Sequence, residues 1–307
     1  MTLTELRYIV TLAQEQHFGH AAERCHVSQP TLSVGVKKLE DELGVLIFER
    51  SKSAVRLTPV GESIVAQAQK VLEQAQGIRE LAQAGKNQLT APLKVGAIYT
   101  VGPYLFPHLI PQLHRVAPQM PLYIEENFTH VLREKLRNGE LDAVIIALPF
   151  NEADVLTLPL YDEPFCALMP ADHPWTAKKT IDTAMLNDKS LLLLGEGHCF
   201  RDQVLEACPT LNKGEGSKHT TVESSSLETI RHMVASGLGV SILPLSAVHS
   251  HHYAPGVIEV RPLTPPAPFR TVAIAWRASF PRPKAIEILA DSIRLCSVAK
   301  PPVEQSA

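Results

Sequence analysis

Two interruptions in a helical pattern constrain the fold of the N-terminal segment most strongly. Apolar residues recur at helical spacing from Thr4 to Leu43, and the pattern breaks at Phe18-Gly19 and again at His26-Val27-Ser28. Ser28 followed by Gln29-Pro30 is typical of a helix start, because serine caps free N–H groups and proline is tolerated in the first turn. Three short helices with such a turn before the third predict a helix-turn-helix.

The residues that follow predict a wing and a long linker helix. The stretches 45–50 and 54–57 are predicted to be two short strands. Thr58-Pro59 begins a helix that should reach about Ala84 and carries one apolar stripe: Ile64, Ala68, Val71, Leu72, Ala75, Ile78 and Leu81. A stripe on a helix that joins two domains needs a partner, either a second copy of the helix or the chain's own domain.

Beyond a polar linker at 85–91, strand and helix patterns alternate along the chain. Strands are predicted at 93–98, 121–126, 141–148, 165–169, 190–194, 219–223, 239–243, 257–261 and 270–276. Helices are predicted around 103–117, 129–138 and 282–297, and the prolines from Pro262 to Pro268 indicate a crossover. This alternation favours a largely parallel sheet with helices on both faces.

The patterns together predict an α/β multidomain chain with three parts. These are a winged helix-turn-helix domain at 1–58, a linker and dimerisation helix at 59–90, and a regulatory domain at 91–307. We expect the last to form two α/β lobes, the first at about 91–162 and 268–300 and the second at about 163–267.

Charge and hydropathy restrict the function classes. The net charge of −3 excludes a globally basic coat, and residues 1–60 hold seven Lys or Arg against seven Asp or Glu. DNA binding must therefore depend on where individual charges lie. No stretch approaches the ~20 apolar residues of a membrane span. With no basic leader before an apolar run, we expect a cytoplasmic protein without membrane contact.

The predicted third helix supplies candidate DNA contacts. Gln29, Thr31 and Ser33, with Pro30 between them, lie at the helix end that enters a major groove, where amides and hydroxyls can bond base edges. Basic residues are placed to bind phosphates: Lys37, Lys38, Arg50, Lys52 and Arg56. Each of these residues could instead belong to a solvated helix face.

The segment AAERCHVSQPTLSVGVKKLEDELGVLIFER resembles the LysR family of transcriptional regulators. The shared features are Ala21-Ala22, Ser28 to Ser33, the basic pair Lys37-Lys38, and Leu-Gly and Leu-Phe-x-Arg motifs ending at Arg50. The resemblance implies a winged helix-turn-helix on double-stranded promoter DNA. It also implies a two-lobed regulatory domain like that of periplasmic binding proteins, and a homo-oligomer, usually a tetramer, with RNA polymerase as a candidate partner.

The second segment that carries chemistry is 195–208, GEGHCFRDQVLEAC. Cys199 follows a run of four leucines and should lie where a strand turns into a helix, and a helix N-terminus with His198 and Arg201 nearby lowers a thiol's pKa. The resulting thiolate would attack a peroxide. If 200–207 is helical, Cys208 lies roughly 13 Å from Cys199. A disulfide tolerates about 7 Å, so the segment would have to unfold before the two sulfurs bonded.

The order His-Cys-x-Arg-Asp-Gln, with a second cysteine nine residues on, is similar to hydrogen-peroxide-sensing members of the LysR family. The resemblance implies an activator of oxidative-stress genes with Cys199 as peroxidatic and Cys208 as resolving cysteine. It also implies a peroxide pocket formed by Thr100, Thr129, His198, Arg201, Asp202, Gln203 and Arg270.

Other interpretations remain open for these residues. Thr100 and Thr129 could be helix N-caps, and Arg270 could be an ordinary surface or ion-pair arginine. The remaining cysteines are interpreted as structural: Cys25, Cys166 and Cys296. The histidine cluster His249, His251 and His252 lacks a companion Cys or carboxylate at ligand spacing, so we expect neither a metal nor a cofactor.

Two other functions would fit the same chain. One is a LysR-type regulator that binds a small organic co-inducer between its lobes. The other is a thiol peroxidase that also binds DNA, which would have to turn over many times with a reductant. The sequence shows no second site for a reductase, and we expect no enzyme.

Overall fold

The computed structural model describes residues 1–50, 55–84, 88–187, 191–208, 223–248 and 256–296. The chain divides into two compact units, Met1–Lys86 and Asn87–Ala307. In the first, the elements are α1 (Leu3–Glu15), α2 (Phe18–Arg24), α3 (Gln29–Leu43), β1 (Phe48–Arg50), β2 (Val55–Leu57) and α4 (Pro59–Ala84). The two predicted helix interruptions and the start of the linker helix are confirmed.

Side-chain caps explain where the first helices begin. The Thr2 hydroxyl accepts the N–H of Glu5 at 3.2 Å, and the Glu5 carboxylate accepts the N–H of Thr2 at 2.8 Å, which forms a capping box. The Ser28 hydroxyl accepts the N–H of Thr31 at 3.3 Å at the start of α3, as the sequence predicts. Cys25, expected inside the second helix, is its C-cap residue and is half-buried.

The wing is antiparallel and leads directly into α4. Phe48 pairs with Leu57 and Arg50 with Val55, so the first strand is shorter than predicted. The Thr58 hydroxyl accepts the N–H of Gly61 at 2.9 Å and donates to the carbonyl of Leu46 at 2.8 Å. Any Cβ on Gly61 would overlap the carbonyl oxygen of Ile47, so this position requires glycine.

The apolar stripe of α4 divides into two parts. Ala68 is buried in the core of the N-terminal unit, and Ile64, Val71 and Leu72 pack against that core. Ile78, further along the same stripe, is 69% exposed. The first part of the stripe therefore packs on its own chain, which was the alternative interpretation, and only the later part is available for a partner.

The second unit contains alternating strands and helices. These are β3 (Leu93–Ile98), α5 (Gly102–Val116), β4 (Leu122–Asn127), α6 (Thr129–Arg137), β5 (Ala143–Ala147), β6 (Val155–Pro170), β7 (Leu191–Leu194), α7 (Cys199–Ala207), β8 (Glu223–Ser224), α8 (Leu227–Ala235), β9 (Val240–Pro244), α9 (Leu245–Val248), β10 (Ile258–Pro262), β11 (Phe269–Arg277) and α10 (Pro283–Leu295). Two short 3-10 helices, Pro174–Ala177 and Thr183–Asn187, precede β7.

The sheet has two parallel parts joined by antiparallel strands. β3 lies parallel to β4 and β5, and β7 lies parallel to β8 and β9. β6 pairs antiparallel with β11 over 155–164 and with β9 and β10 over 165–170. The expectation of a largely parallel sheet is thus wrong for the strands that connect the two parts.

Each part of the sheet has its own apolar core. The first core combines β3, β5 and β11 with apolar faces of α5, α6 and α10, and includes the fully buried Val95, Leu132 and Leu289. The second combines β7 and β9 with α7 and α8 and includes Phe200, Ile230 and Ile242. We call these parts the first and second lobes. β6 and β11 run between them and form the hinge strands.

Candidate functional site

Cys199 is the first residue of α7, directly after the turn that leaves β7. His198 is the N-cap residue of that helix, and Gly197 precedes it with φ +90°, a left-handed conformation that glycine adopts without strain. Cys199 is half-buried and packs against the core of the first lobe. The predicted strand-to-helix turn is confirmed, and the free N–H groups of the first helical turn surround the start of α7.

His198 lies in an aromatic cluster. It is 6% exposed, and its ring centroid is 4.8 Å from that of Phe128 and 6.1 Å from that of Tyr99. Burial lowers the pKa of His198 below its usual value, and a hydrogen bond with the backbone of Ser225 opposes this shift only in part. The imidazole is therefore neutral at pH 7. As a neutral group, His198 can accept or donate a hydrogen bond beside Cys199 but adds no positive charge there.

The three polar residues after Cys199 have different roles. Arg201 donates to the carbonyl of Leu194 at 2.8 Å and so ties α7 back to the strand before it. Asp202 is exposed on the first turn of α7. Gln203 donates to the carbonyl of Leu148 at 3.3 Å, and its amide oxygen is buried without a hydrogen-bond partner among the described residues. Of the three, only Gln203 has a buried polar atom without a partner in the part of the chain that the structure describes.

Thr100 and Thr129 follow the carboxyl ends of β3 and β4. The N-cap residues of the following helices are Val101 and Phe128, so the N-cap interpretation of both threonines is wrong. Thr100 is 2% exposed and accepts a hydrogen bond from Arg270. The Thr129 hydroxyl is buried and bonds to no other group in the described part of the chain, which leaves it available to a ligand or to water.

Arg270 is fully engaged in a buried network. Its Nε donates to Glu163 at 2.7 Å, its Nη1 to the Thr100 hydroxyl at 2.8 Å and its Nη2 to the Thr100 carbonyl at 2.8 Å. Its guanidinium carbon lies 5.3 Å from the centre of the Phe200 ring. Arg270 is thus not a surface arginine. It forms an ion pair with Glu163 and also bonds to Thr100, a residue predicted to lie beside it.

These side chains meet because the carboxyl ends of parallel strands share one edge of a sheet. Thr100 follows β3, Thr129 follows β4, and Leu148 follows β5 at the same edge of the first lobe. α7 of the second lobe brings His198 onto Phe128 and Gln203 onto Leu148 across this edge. We call the resulting set the thiol site: Thr100, Thr129, His198, Cys199, Gln203 and Arg270.

The thiol site combines one sulfur with several small hydrogen-bonding groups. Hydroxyls, an amide oxygen, an imidazole and a guanidinium lie on the elements that meet at the start of the helix that carries the thiol. Such a set suits a small polar molecule with both donor and acceptor oxygens better than a large organic ligand. Among the described residues, no group of three or more His, Cys, Asp or Glu side chains could hold a metal ion.

Sequence reasoning missed Glu163, Phe128, Tyr99 and Phe200. Glu163 lies 107 residues before Arg270 and is reached only through the antiparallel register of β6 and β11. No local motif identifies it. The two aromatic residues next to the threonines carried a weak signal, since each directly follows or precedes a strand end.

Cys208 lies at the other end of the same helix, in the core of the second lobe. It is 1% exposed and is the C-cap residue of α7, and burial raises the pKa of its thiol to about 11. Nine residues at about 1.5 Å of rise place it roughly 13 Å from Cys199. Both thiols are free. As long as α7 is intact, the two cannot bond.

The remaining cysteines have separate environments. Cys166 is buried in β6, and burial raises the pKa of its thiol to about 11. Cys296 caps α10, and its sulfur donates to the carbonyl of Ser292 at 3.2 Å. His249, His251 and His252 lie outside the described residues, as does the predicted strand segment at 219–222.

The candidate DNA contacts lie mostly on the surface of α3 and the wing. Gln29, Pro30, Thr31, Lys37 and Arg56 are exposed, and Ser33 is half-buried. Arg50 ends β1, and Lys52 lies outside the described residues. The side chains in the first turn of α3 are therefore accessible from solvent, as contacts with DNA require.

Lys38 has an ion-pair partner within its own unit. Its ammonium group bonds to the buried carboxylate of Glu5 at 2.8 Å. The same contact lowers the pKa of Glu5 and raises that of Lys38. Lys38 thus neutralises a charge within the N-terminal unit, although its side chain is exposed like that of the adjacent Lys37.

Searches for similar sequences identify two family matches. The family of LysR substrate binding domains matches residues 86–295, and the lysR family of bacterial regulatory helix-turn-helix proteins matches residues 3–62. In the described part of the chain, no helix is long and apolar enough to cross a membrane.

Several characterised proteins are similar along nearly the whole chain. The DNA-binding transcriptional dual regulator OxyR of Escherichia coli is 41% identical over 96% of this chain and 95% of its own. A full-length OxyR from Pseudomonas aeruginosa with a cysteine replaced by aspartate is 85% identical, with a TM-score of 0.81, and covers 100% of this chain and 99% of its own. A hydrogen-peroxide-bound OxyR mutant from Corynebacterium glutamicum is 34% identical, with a TM-score of 0.64, over 95% of this chain and 91% of its own.

Proposed function

The chain belongs to the LysR family of bacterial transcriptional regulators, and from that premise we propose that it is a DNA-binding regulator that senses hydrogen peroxide. The single observation that carries the proposal is the placement of Cys199 and Cys208 at the two ends of α7, in different cores. The similarity to OxyR, one form of which was solved with hydrogen peroxide bound, supports the same signal.

The first chemical step takes place at Cys199. Its thiolate attacks one oxygen of hydrogen peroxide, the S–O bond forms as the O–O bond breaks, and hydroxide leaves and takes up a proton to become water. Cys199 loses two electrons and becomes a sulfenic acid. The hydroxyls of Thr100 and Thr129 and the amide of Gln203 would hold the peroxide during this step.

The second step requires α7 to come apart. A Cys208 thiolate attacks the sulfenic sulfur, the disulfide forms, and the sulfenic oxygen leaves as water. The protonated, buried Cys208 cannot do this in place, because about 13 Å separates the two Cα positions and a disulfide allows about 7 Å. Oxidation is therefore coupled to refolding of residues 199–208, which gives two discrete conformations.

The refolded segment would transmit the signal between subunits. α7 joins the lobes at the thiol site, so its loss frees the contact of Gln203 with Leu148 of the first lobe and that of Phe200 with Arg270 of the hinge strands. We expect the altered lobe packing to reposition the DNA-binding domains of a homotetramer on promoter DNA. Activation of oxidative-stress genes through RNA polymerase, in the cytoplasm, follows from this scheme.

The decisive experiment measures intact mass with thiol trapping before and after about one equivalent of hydrogen peroxide. We expect a rapid loss of two hydrogens that maps to a Cys199–Cys208 peptide and is absent from Cys199→Ser. No change at low peroxide would refute the redox switch while leaving DNA binding intact. The regulator would then be screened against small metabolites, whose binding raises thermal stability by mass action.

A turnover assay separates a sensor from a peroxidase. With a small-molecule thiol reductant present in excess, a sensor consumes peroxide at a rate set by slow re-reduction of the buried disulfide. We expect about one equivalent per reduction cycle. Many rapid turnovers would instead assign the chain to the thiol peroxidases.

A further inference from the structure

Glu163 and Arg270 form an ion pair across the two hinge strands. The two residues face each other in the antiparallel register of β6 and β11, and both side chains are completely buried. The pair also joins the lobes, because one Glu163 oxygen accepts the N–H of Ser246 from the second lobe at 2.8 Å, while Arg270 bonds to Thr100 in the first. Both carboxylate oxygens of Glu163 are therefore used.

The network fixes the direction of the Thr100 hydroxyl. A guanidinium only donates hydrogen bonds, so the Thr100 oxygen is the acceptor in its 2.8 Å bond with Arg270 Nη1. The single hydroxyl proton must therefore point to another acceptor. Glu163 holds Nε of the same guanidinium, and this bond sets the plane in which Nη1 reaches Thr100.

Contacts of the residues on both sides of Cys199 link the start of α7 to the segment around Thr100. His198, the residue before Cys199, contacts the ring of Tyr99, the residue before Thr100. Phe200, the residue after Cys199, lies under the guanidinium that bonds to Thr100. Both neighbours of the reactive sulfur are thus tied to the segment that carries the Thr100 hydroxyl.

We propose that Glu163 is a positioning residue for the oxidation of Cys199, acting through Arg270 and Thr100. When the sulfur attacks peroxide and the O–O bond breaks, negative charge develops on the leaving oxygen, which then takes a proton and departs as water. A Thr100 hydroxyl that accepts from a cation donates more strongly to that oxygen. This inference rests on the proposed peroxide-sensing function and adds a residue that does not touch the peroxide.

The substitution Glu163→Gln tests the charge and the geometry together. Glutamine has one acceptor oxygen where glutamate has two, so either the Ser246 N–H or the Arg270 guanidinium loses its acceptor. We expect the second-order rate constant of Cys199 with hydrogen peroxide to fall about tenfold or more. The rate is measured in a Cys208→Ser background, where the sulfenic acid can be trapped with dimedone and counted by mass.

Two controls distinguish positioning from a general structural effect. Alkylation of Cys199 by iodoacetamide has no leaving hydroxide to stabilise, so Glu163→Gln should change its rate by less than about twofold. Asp162→Asn alters the adjacent exposed pair, in which Thr271 donates to Asp162 at 2.6 Å, and should leave the peroxide rate unchanged. An equal loss in both reactions of Glu163→Gln would overturn the proposal.

A double-substitution cycle tests the route through Thr100. If Glu163 acts through the Thr100 hydroxyl, Glu163→Gln should slow the peroxide reaction of a Thr100→Val protein by much less than it slows that of wild type. The same factor in both backgrounds would overturn the route. Should circular dichroism show that Glu163→Gln is unfolded, Glu163→Asp is measured in the same way, and an unchanged peroxide rate in that folded variant overturns the proposal. Failure of the wild-type thiol to react would instead refute the sensing function itself.

Discussion

Cys199 and Cys208 occupy opposite ends of one nine-residue helix and belong to different apolar cores. Cys199 packs against the first lobe, and Cys208 is buried in the second. The helix therefore acts as a spacer that keeps a reactive sulfur and its partner apart in the reduced protein. Any bond between them costs the packing of Phe200 and Val204, which are both buried along that helix.

Cys208→Ser should uncouple the two chemical steps. Because Cys208 lies about 13 Å from Cys199, its loss should leave the rate of the first oxidation unchanged and stop the reaction at the sulfenic acid. The measurement is intact mass with a dimedone trap, where one adduct per chain is expected. Cys166→Ser, which removes the other deeply buried thiol, serves as the control and should still form the disulfide. A disulfide in Cys208→Ser would contradict the assignment.

The packing of α7 should set the reduction potential. Val204→Ala removes two buried methyl groups from the helix that is lost on oxidation, which costs the reduced form about 2 kcal/mol. Because only the reduced form is destabilised, the potential should become more negative by about 40 mV. Val234→Ala removes the same groups from α8 in the same core and should not shift the potential. Titration with glutathione redox buffers measures the reduction potential of both variants. Equal shifts in Val204→Ala and Val234→Ala would contradict refolding of α7.

The position of the thiol could be predicted, but its chemical surroundings could not. A run of four leucines followed by Gly-Glu-Gly-His-Cys indicates a strand and then a helix start, and local patterns of this kind set local structure. The neutral state of His198 depends on Phe128 and Tyr99, which arrive from another lobe. Burial by distant residues has no signature in the neighbouring sequence, so the lowered pKa of His198 could not be predicted from the motif.

The hinge strands show a second limit of sequence reasoning. The first half of β6 contains Pro159, Asp162, Glu163 and Pro164, residues that are poor strand formers, and only its apolar second half was predicted. Pairing with β11 overrides these preferences. That pairing also brings Glu163 onto Arg270, and a register between strands about a hundred residues apart cannot be read from either strand alone.

The reduced protein should lose stability as pH falls below about 6.5, in part because of His198. Burial lowers the pKa of this histidine in the folded chain, so the unfolded chain binds more protons between the two pKa values. The contribution of His198 to the free energy of unfolding is complete above its pKa in the unfolded chain. It is lost as pH falls toward its lower pKa in the folded chain. Between pH 7.5 and 5, the unfolding temperature should fall less for His198→Gln than for wild type. His114→Gln, at an exposed position in α5, is the control, and identical slopes for all three proteins would contradict the prediction.

Neighbouring lysines of α3 should have separable effects on DNA binding and on stability. Lys37 is exposed, so Lys37→Gln should weaken binding to promoter and non-specific duplexes alike and lower the salt dependence of binding by about one counterion per subunit. Lys38 bonds to the buried Glu5, so Lys38→Gln leaves that carboxylate without its cation and should mainly lower the unfolding temperature of the N-terminal unit. Fluorescence anisotropy across a salt series measures the first effect and calorimetry the second. The prediction would be contradicted if Lys38→Gln reduced the salt dependence of binding as much as Lys37→Gln and unfolded at the wild-type temperature. Lys38 would then act as a DNA contact and not mainly as the ion-pair partner of Glu5.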